Sequence, residues 1–92
     1  MTTPLTENRA VQDPHAALTR RQQAALAAIA KYKNNRLRAG AWEIGGERFS
    51  PSIIDVLKHR RIVQERRATF GPVLSLTLAG QMAAERLKER QQ

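Results

Sequence analysis

The residues of this chain with the most to do chemically are cations in close groups. Arg66-Arg67 form one group, Lys58-His59-Arg60-Arg61 a second, and Arg36, Arg38 and Arg48 a third. Such groups carry fixed positive charge and several N–H donors, which suits phosphate oxygens. Covalent chemistry has much less to work with. His15 and His59 stand far apart in the sequence, and cysteine is absent, which removes disulfides, thiolate metal sites and a thiol nucleophile. No carboxylates are paired and no cluster has metal-ligand spacing. Gly45-Gly46 is not followed by the Gly-Lys-Ser/Thr of a phosphate loop. An enzyme is therefore not expected, and neither is a cofactor or a metal.

The 92 residues hold 16 Lys+Arg against 8 Asp+Glu, a net charge of +8. Residues 20–67 alone hold twelve cations and four acids, so the whole excess lies in the middle of the chain. A polyanion is the natural partner for such a stretch, because each phosphate neutralised releases condensed counterions. The plainer reading is a solvated basic surface that keeps a small protein apart from its copies. With 41% apolar and 26% charged residues the composition is that of a globular domain, and the length suffices for one. No apolar run reaches the roughly 18 residues of a membrane span, and Met1 to His15 has no signal-peptide pattern. The expected location is cytoplasmic, on the nucleoid if the polyanion is DNA.

Positioning these cations falls to a short series of elements. Residues 1–16 are polar, carry Pro4 and Pro14, and read as a disordered tail ahead of a domain over 17–92. Thr19 with Gln22 three residues later reads as a capping box. Leu18, Ala25, Leu26, Ile29 and Tyr32 give the helix an apolar stripe, and Asn34-Asn35 ends it. Arg36 to Gly40 reads as a basic connection. Trp42 and Ile44 alternate with Ala41 and Glu43 as in a short strand, and Gly45-Gly46 turns the chain. Ser50-Pro51 opens a second helix running to about Arg60, with Ile53, Ile54 and Leu57 inward and Ser52, Asp55 and His59 outward. Residues 62–67 and 73–77 alternate as two strands of a hairpin. Thr77 caps a last helix through Leu78, Ala79, Met82, Ala83 and Leu87.

Helix, short strand, capped helix, hairpin, helix resembles the order of a compact winged helix-turn-helix. Leu18-Thr19-Arg20-Arg21-Gln22 opens the first helix, Ser50 through Leu57 follows the pattern of a recognition helix, and Arg60-Arg61-Ile62-Val63 matches the passage into the wing. Leu76-Thr77-Leu78-Ala79-Gly80 is similar to the Leu-Thr-x-x-Gly after the wing in MarR-like bacterial regulators. The resemblance covers residues 18–88. It departs from that pattern twice. The stretch from Arg36 to Phe49 has no clear middle helix, and Arg61 stands where the family favours Gly, a position that often needs positive φ.

The resemblance implies an α+β winged helix-turn-helix of about three helices, with a β-hairpin wing in the C-terminal half and a short third strand. It further implies a small double-stranded DNA-binding protein, a transcriptional regulator or a recombination or architectural factor. Its DNA-binding residues would be Ser50, Ser52, Asp55, Lys58 and His59 on the helix, Arg66 and Arg67 on the wing, and Arg36, Arg38 and Arg48 flanking. Asp55 counts against this, since a carboxylate repels phosphate.

Each of these residues has a plainer account. Ser50-Pro51 can be only a cap, His59 a helix-end cation favoured by the dipole, and Arg66-Arg67 edge-strand charges that block sheet aggregation. Trp42 reads as core. Phe70, at the hairpin tip, reads either as an exposed wedge or, more simply, as buried beneath the last helix. The alternative function is a winged-helix adaptor or inhibitor that binds protein and never reads DNA. A homodimer through the last helix, at Met82, Ala83 and Leu87, is expected if one module is to read enough base pairs. The same residues could instead close the monomer's own core.

Overall fold

The computed structural model describes residues 8–32 and 34–90. Its N-terminal part departs from the expected tail. Asn8 caps helix α1 (Arg9–Gln12) by accepting from the Ala10 N–H at 3.0 Å. Asp13 caps α2 (Pro14–Ala17), with Pro14 in the first turn, where its missing N–H goes unnoticed. Ala10, Val11 and Pro14 are buried, and Arg86 donates to the Gln12 carbonyl at 3.2 Å. Residues 8–16 are therefore held to the domain by three small apolar anchors, by Asn8 donating to the Arg60 carbonyl at 2.9 Å, and by the Arg86 bond. The first seven residues of the expected tail lie outside the described residues.

Helix α3 (Arg20–Lys31) starts with the full capping box. Thr19 Oγ1 accepts from the Gln22 N–H at 3.2 Å, and Gln22 Oε1 accepts from the Thr19 N–H at 3.0 Å. Ala25, Leu26 and Ile29 face the core. Tyr32 does not extend that stripe. It stands at the helix end, 40% exposed, with its ring against Gly45. A Cβ at Gly45 would collide with that ring, and its φ of +58° is the left-handed one that glycine adopts freely.

Among the described residues no helix lies between α3 and the next one; three strands do. Strands β1 (Asn35–Arg38), β2 (Ala41–Ile44) and β3 (Glu47–Phe49) form an antiparallel meander, so Arg36 to Gly40 is a strand and a turn rather than a connection. The Ala39-Gly40 and Gly45-Gly46 turns all have positive φ, the mirror-image geometry that matches strand twist. Trp42, Ile44 and Phe49 are buried on one face, and Arg36, Glu43 and Arg48 share the other.

Helix α4 (Pro51–His59) has Ser50 at its N-cap, but the Ser50 hydroxyl lies 3.0 Å from the Ser52 hydroxyl and caps no backbone N–H. Ile54 and Leu57 are fully buried. The helix ends in a Schellman motif: the Ile62 N–H donates to the Leu57 carbonyl at 3.2 Å and the Arg61 N–H to the Lys58 carbonyl at 3.0 Å. Arg61 takes the left-handed position at φ +62°.

Strands β4 (Val63–Ala68) and β5 (Gly71–Leu76) form a separate antiparallel hairpin with Thr69-Phe70 at its tip. Helix α5 (Leu78–Arg90) follows, with Ala79, Ala83 and Leu87 buried. The fold is thus α+β, with five helices and two antiparallel sheets among the described residues, against the three helices and single short extra strand expected. The two sheets meet at Asn35. Its buried amide donates to the Leu74 carbonyl at 3.0 Å and accepts from the Leu74 N–H at 2.7 Å, standing in for a strand beside β5.

Candidate nucleic-acid interface

The first set of candidate residues lies on α4. Ser52, Asp55 and His59 are exposed along its outer side, as their spacing requires. Lys58 leans away from that side. Its Nζ lies 2.8 Å from Glu65 on β4 and 3.7 Å from Asp55 one turn back. The hydrogen bond that Lys58 donates to Glu65 is the largest influence on the ammonium. It outweighs a small desolvation penalty and, with the Asp55 charge, holds the ammonium above its ordinary pKa. Lys58 is therefore neutralised by two carboxylates rather than free for phosphate. The outer side of α4 has hydrogen-bonding groups but no surplus of positive charge.

The same ion pair joins α4 to the hairpin. Cross-strand register puts Glu65 with Leu74 and Arg67 with Pro72 on one face of the ribbon, and Arg66 with Val73 on the other. Arg67 thus lies further toward the tip on the face that meets α4, and Arg66 lies on the opposite face. Both are exposed, and neither reaches a carboxylate among the described residues. The tip itself holds Phe70, which is 102% exposed. Of the two readings of Phe70, burial under the last helix fails and exposure at the tip stands. The Thr69-Phe70 turn carries the ring beyond the end of the ladder, out of reach of α5.

Arg36, Arg38 and Arg48 form a separate group on the solvent face of the three-stranded sheet. Arg36 Nε lies 3.0 Å from Glu43 and Arg48 Nη1 3.9 Å from it, so one carboxylate on the central strand is shared by a cation on each side. Arg48 also donates to the Arg38 carbonyl at 3.3 Å. No hydrogen bond or ion pair links this group to α4 or to the hairpin among the described residues. Only the guanidinium of Arg38 is without a carboxylate here. Arg21 is structural: it pairs with Glu47 at 2.8 Å and stacks over the Phe49 ring at 4.3 Å, clamping α3 to β3.

The dimer surface expected on the last helix is largely used up. Ala83 and Leu87 lie in the monomer's own core at 0% and 2% exposure, leaving Leu78 and Met82 as the exposed apolar side chains of α5. Among the described residues no helix is long and apolar enough to cross a membrane, and no three His, Cys, Asp or Glu side chains gather as a metal site.

Sequence reasoning missed Glu65 and Glu43 as the groups that pair with half of the candidate cations. The alternation in residues 62–67 does put Glu65 and Arg67 on one face, so that much of the signal was present. Comparison with family models, curated proteins and solved structures finds no significant match to this chain.

Proposed function

We propose that this protein binds double-stranded DNA as a small winged-helix domain, with the β4–β5 hairpin as wing and α4 as the helix beside it. The observation that carries this reading is the pair Arg66 and Arg67, two cations on opposite faces of the hairpin that meet no carboxylate among the described residues. The ribbon is tied at its root to α4 by Lys58 and Glu65. Elsewhere in the basic half of the chain, Arg21 and Lys58 each pair with an acid and Arg36 and Arg48 share one, while Arg38, Arg60 and Arg61 are without an ion pair among the described residues but do not lie on the hairpin. Two unmatched arginines on a ribbon suit two rows of phosphates. The three-stranded sheet stands where the helix-turn-helix pattern has its middle helix. In this reading, Ser52 and His59 offer donors and acceptors to base edges, while most of the affinity comes from the wing. The role proposed is binding rather than catalysis, and its place in the cell is wherever the DNA is.

Fluorescence anisotropy with labelled duplex DNA between 50 and 200 mM salt tests this. The wild type should bind with a steep salt slope. Arg66→Ala/Arg67→Ala should weaken binding uniformly across sequences and lower the slope by about two. Unchanged affinity in the double variant would remove the wing from the mechanism.

A second reading, an adaptor that binds protein, draws on one observation. Asp55 is exposed on α4 beside a Lys58 that Glu65 already neutralises, so that face has no electrostatic reason to meet DNA. Absence of duplex binding by the wild type at 50 mM salt would favour it.

A further inference from the structure

We infer that Phe70 is a wedge that enters the base stack of bound duplex and bends it, which makes the protein a binder of kinked or easily unstacked DNA. This rests on the DNA-binding reading above and adds the kind of DNA preferred. A fully exposed Phe at a two-residue turn is unexpected on physical grounds. Turn tips favour Gly, Asn, Asp and Ser, and a chain with four aromatics has every reason to bury each of them. Trp42 and Phe49 are buried, whereas Phe70 meets only solvent.

Its surroundings point to one kind of partner. Arg66 and Arg67 follow opposite faces of the ribbon toward the tip, and neither is ion-paired with a carboxylate among the described residues. A ribbon lying along the minor groove meets phosphates on both walls and base steps at the floor. One cation per face with an apolar ring at the end matches those three positions in order. A second copy of the chain is a poor occupant, because two such tips would bring four arginines together.

The hairpin is also built to transmit force. Its root is held to α4 by the Lys58–Glu65 pair and to β1 by the double hydrogen bond between Asn35 and Leu74. Pro72, opposite Arg67, limits the backbone next to the tip. Apolar side chains inserted from the minor groove partly unstack a base step and kink the duplex by about 20–90°. Steps that unstack readily, such as TA and CA, and duplexes already broken by a nick or a single-base bulge, lower that expense.

The test uses the full chain and duplexes of about 30 base pairs labelled at both ends, so that energy transfer reports the bend while anisotropy reports affinity. Phe70→Ala and Phe70→Ser alter a side chain that touches nothing else, so both should fold as the wild type does by circular dichroism. The wild type should shorten the end-to-end distance and bind the nicked or bulged duplex about tenfold more tightly than the intact one. Both variants should keep binding to intact duplex within about threefold but lose the bend and the preference. Wild-type binding with the same bend and preference in both variants would overturn the wedge while leaving the DNA reading standing. Failure of the wild type to bind any duplex at 50 mM salt would overturn both.

Discussion

Thr77 Oγ1 donates to the Arg61 carbonyl at 2.7 Å while accepting from the Gly80 N–H at 3.0 Å. One hydroxyl thus caps α5 and locks it to the corner where α4 gives way to the hairpin. The Thr77 N–H adds a bond to the Ile62 carbonyl at 3.2 Å. The Leu-Thr-x-x-Gly of the sequence has a physical content here. Threonine seats the helix on the corner, and glycine lets that helix come close enough to be seated.

Gly80→Ala measures the second half of that statement. A Cβ there would lie 1.8 Å from the Ile62 carbonyl oxygen, which is backbone and cannot swing aside. The helix must shift, which breaks the cap as well. We expect a loss of roughly 3 kcal/mol or more by urea denaturation, at the upper end of overpacking effects. Thr77→Ala removes the cap and the Arg61 bond and should cost about 1–2 kcal/mol. A Gly80→Ala protein as stable as the wild type would mean that α5 does not pack on this corner as described.

Asn35→Ala should be more damaging than its reading as a helix-ending residue implies. Its amide satisfies both the N–H and the carbonyl of Leu74 in a buried position, and removing it leaves two backbone groups without partners. The expected loss is about 2–4 kcal/mol. Asn35→Asp should also be poor, since the carboxylate keeps the acceptor but cannot donate to the Leu74 carbonyl. Hydrogen exchange at the Leu74 amide should accelerate in the alanine variant before global unfolding does.

How far these elements could be read from the sequence depends on where the information is local. The Thr19–Gln22 box, the Trp42 and Ile44 alternation, the Ser50-Pro51 start and the hairpin are each fixed by a few neighbouring residues, and each stands in the structure. Strand β1 was not legible. Only Asn35 of its four residues is buried, and its turn puts Ala39 at φ +51°, where alanine gives no warning. Helices α1 and α2 rest on Ala10, Val11 and Pro14, too few apolar residues to show a period. Phe70 stayed open between wedge and core because hydrophobicity alone argues for burial, and nothing in the sequence tells how far a turn projects.

Arg61→Gly should stabilise the domain. Left-handed backbone costs a residue with a Cβ about 1–2 kcal/mol, and glycine removes that strain. Glycine also loosens the unfolded chain, which takes back about 0.4–1 kcal/mol. The balance is a gain of about 0.5–1 kcal/mol, or a few degrees in Tm for a domain of this size. The Arg61 side chain makes no ion pair among the described residues, so nothing else should be lost. A fall in Tm would mean that the guanidinium has a stabilising role that the geometry does not reveal.

The Lys58–Glu65 pair makes a prediction in which stability and binding part company. Lys58 has its pKa raised in the folded state, so its contribution to stability is complete below its ordinary value of 10.5. It disappears as the pH climbs through the higher folded value. Near neutral pH, therefore, the pair should add no pH dependence, and the loss should come only in strong alkali. With a third of the Lys58 side chain exposed, the stabilisation itself is small. Glu65→Gln should bring the Lys58 pKa down toward its ordinary value, as read from the side-chain resonances, and leave stability at pH 7 nearly unchanged. Binding should respond more strongly. The substitution removes a negative charge next to Arg67 and leaves the Lys58 ammonium only its longer contact with Asp55. Duplex affinity should rise about threefold at 50 mM salt, and the salt slope should steepen by about one. A variant that binds no better, or more weakly, would show that Glu65 and Lys58 do not face the DNA and that the contact surface lies elsewhere on the hairpin.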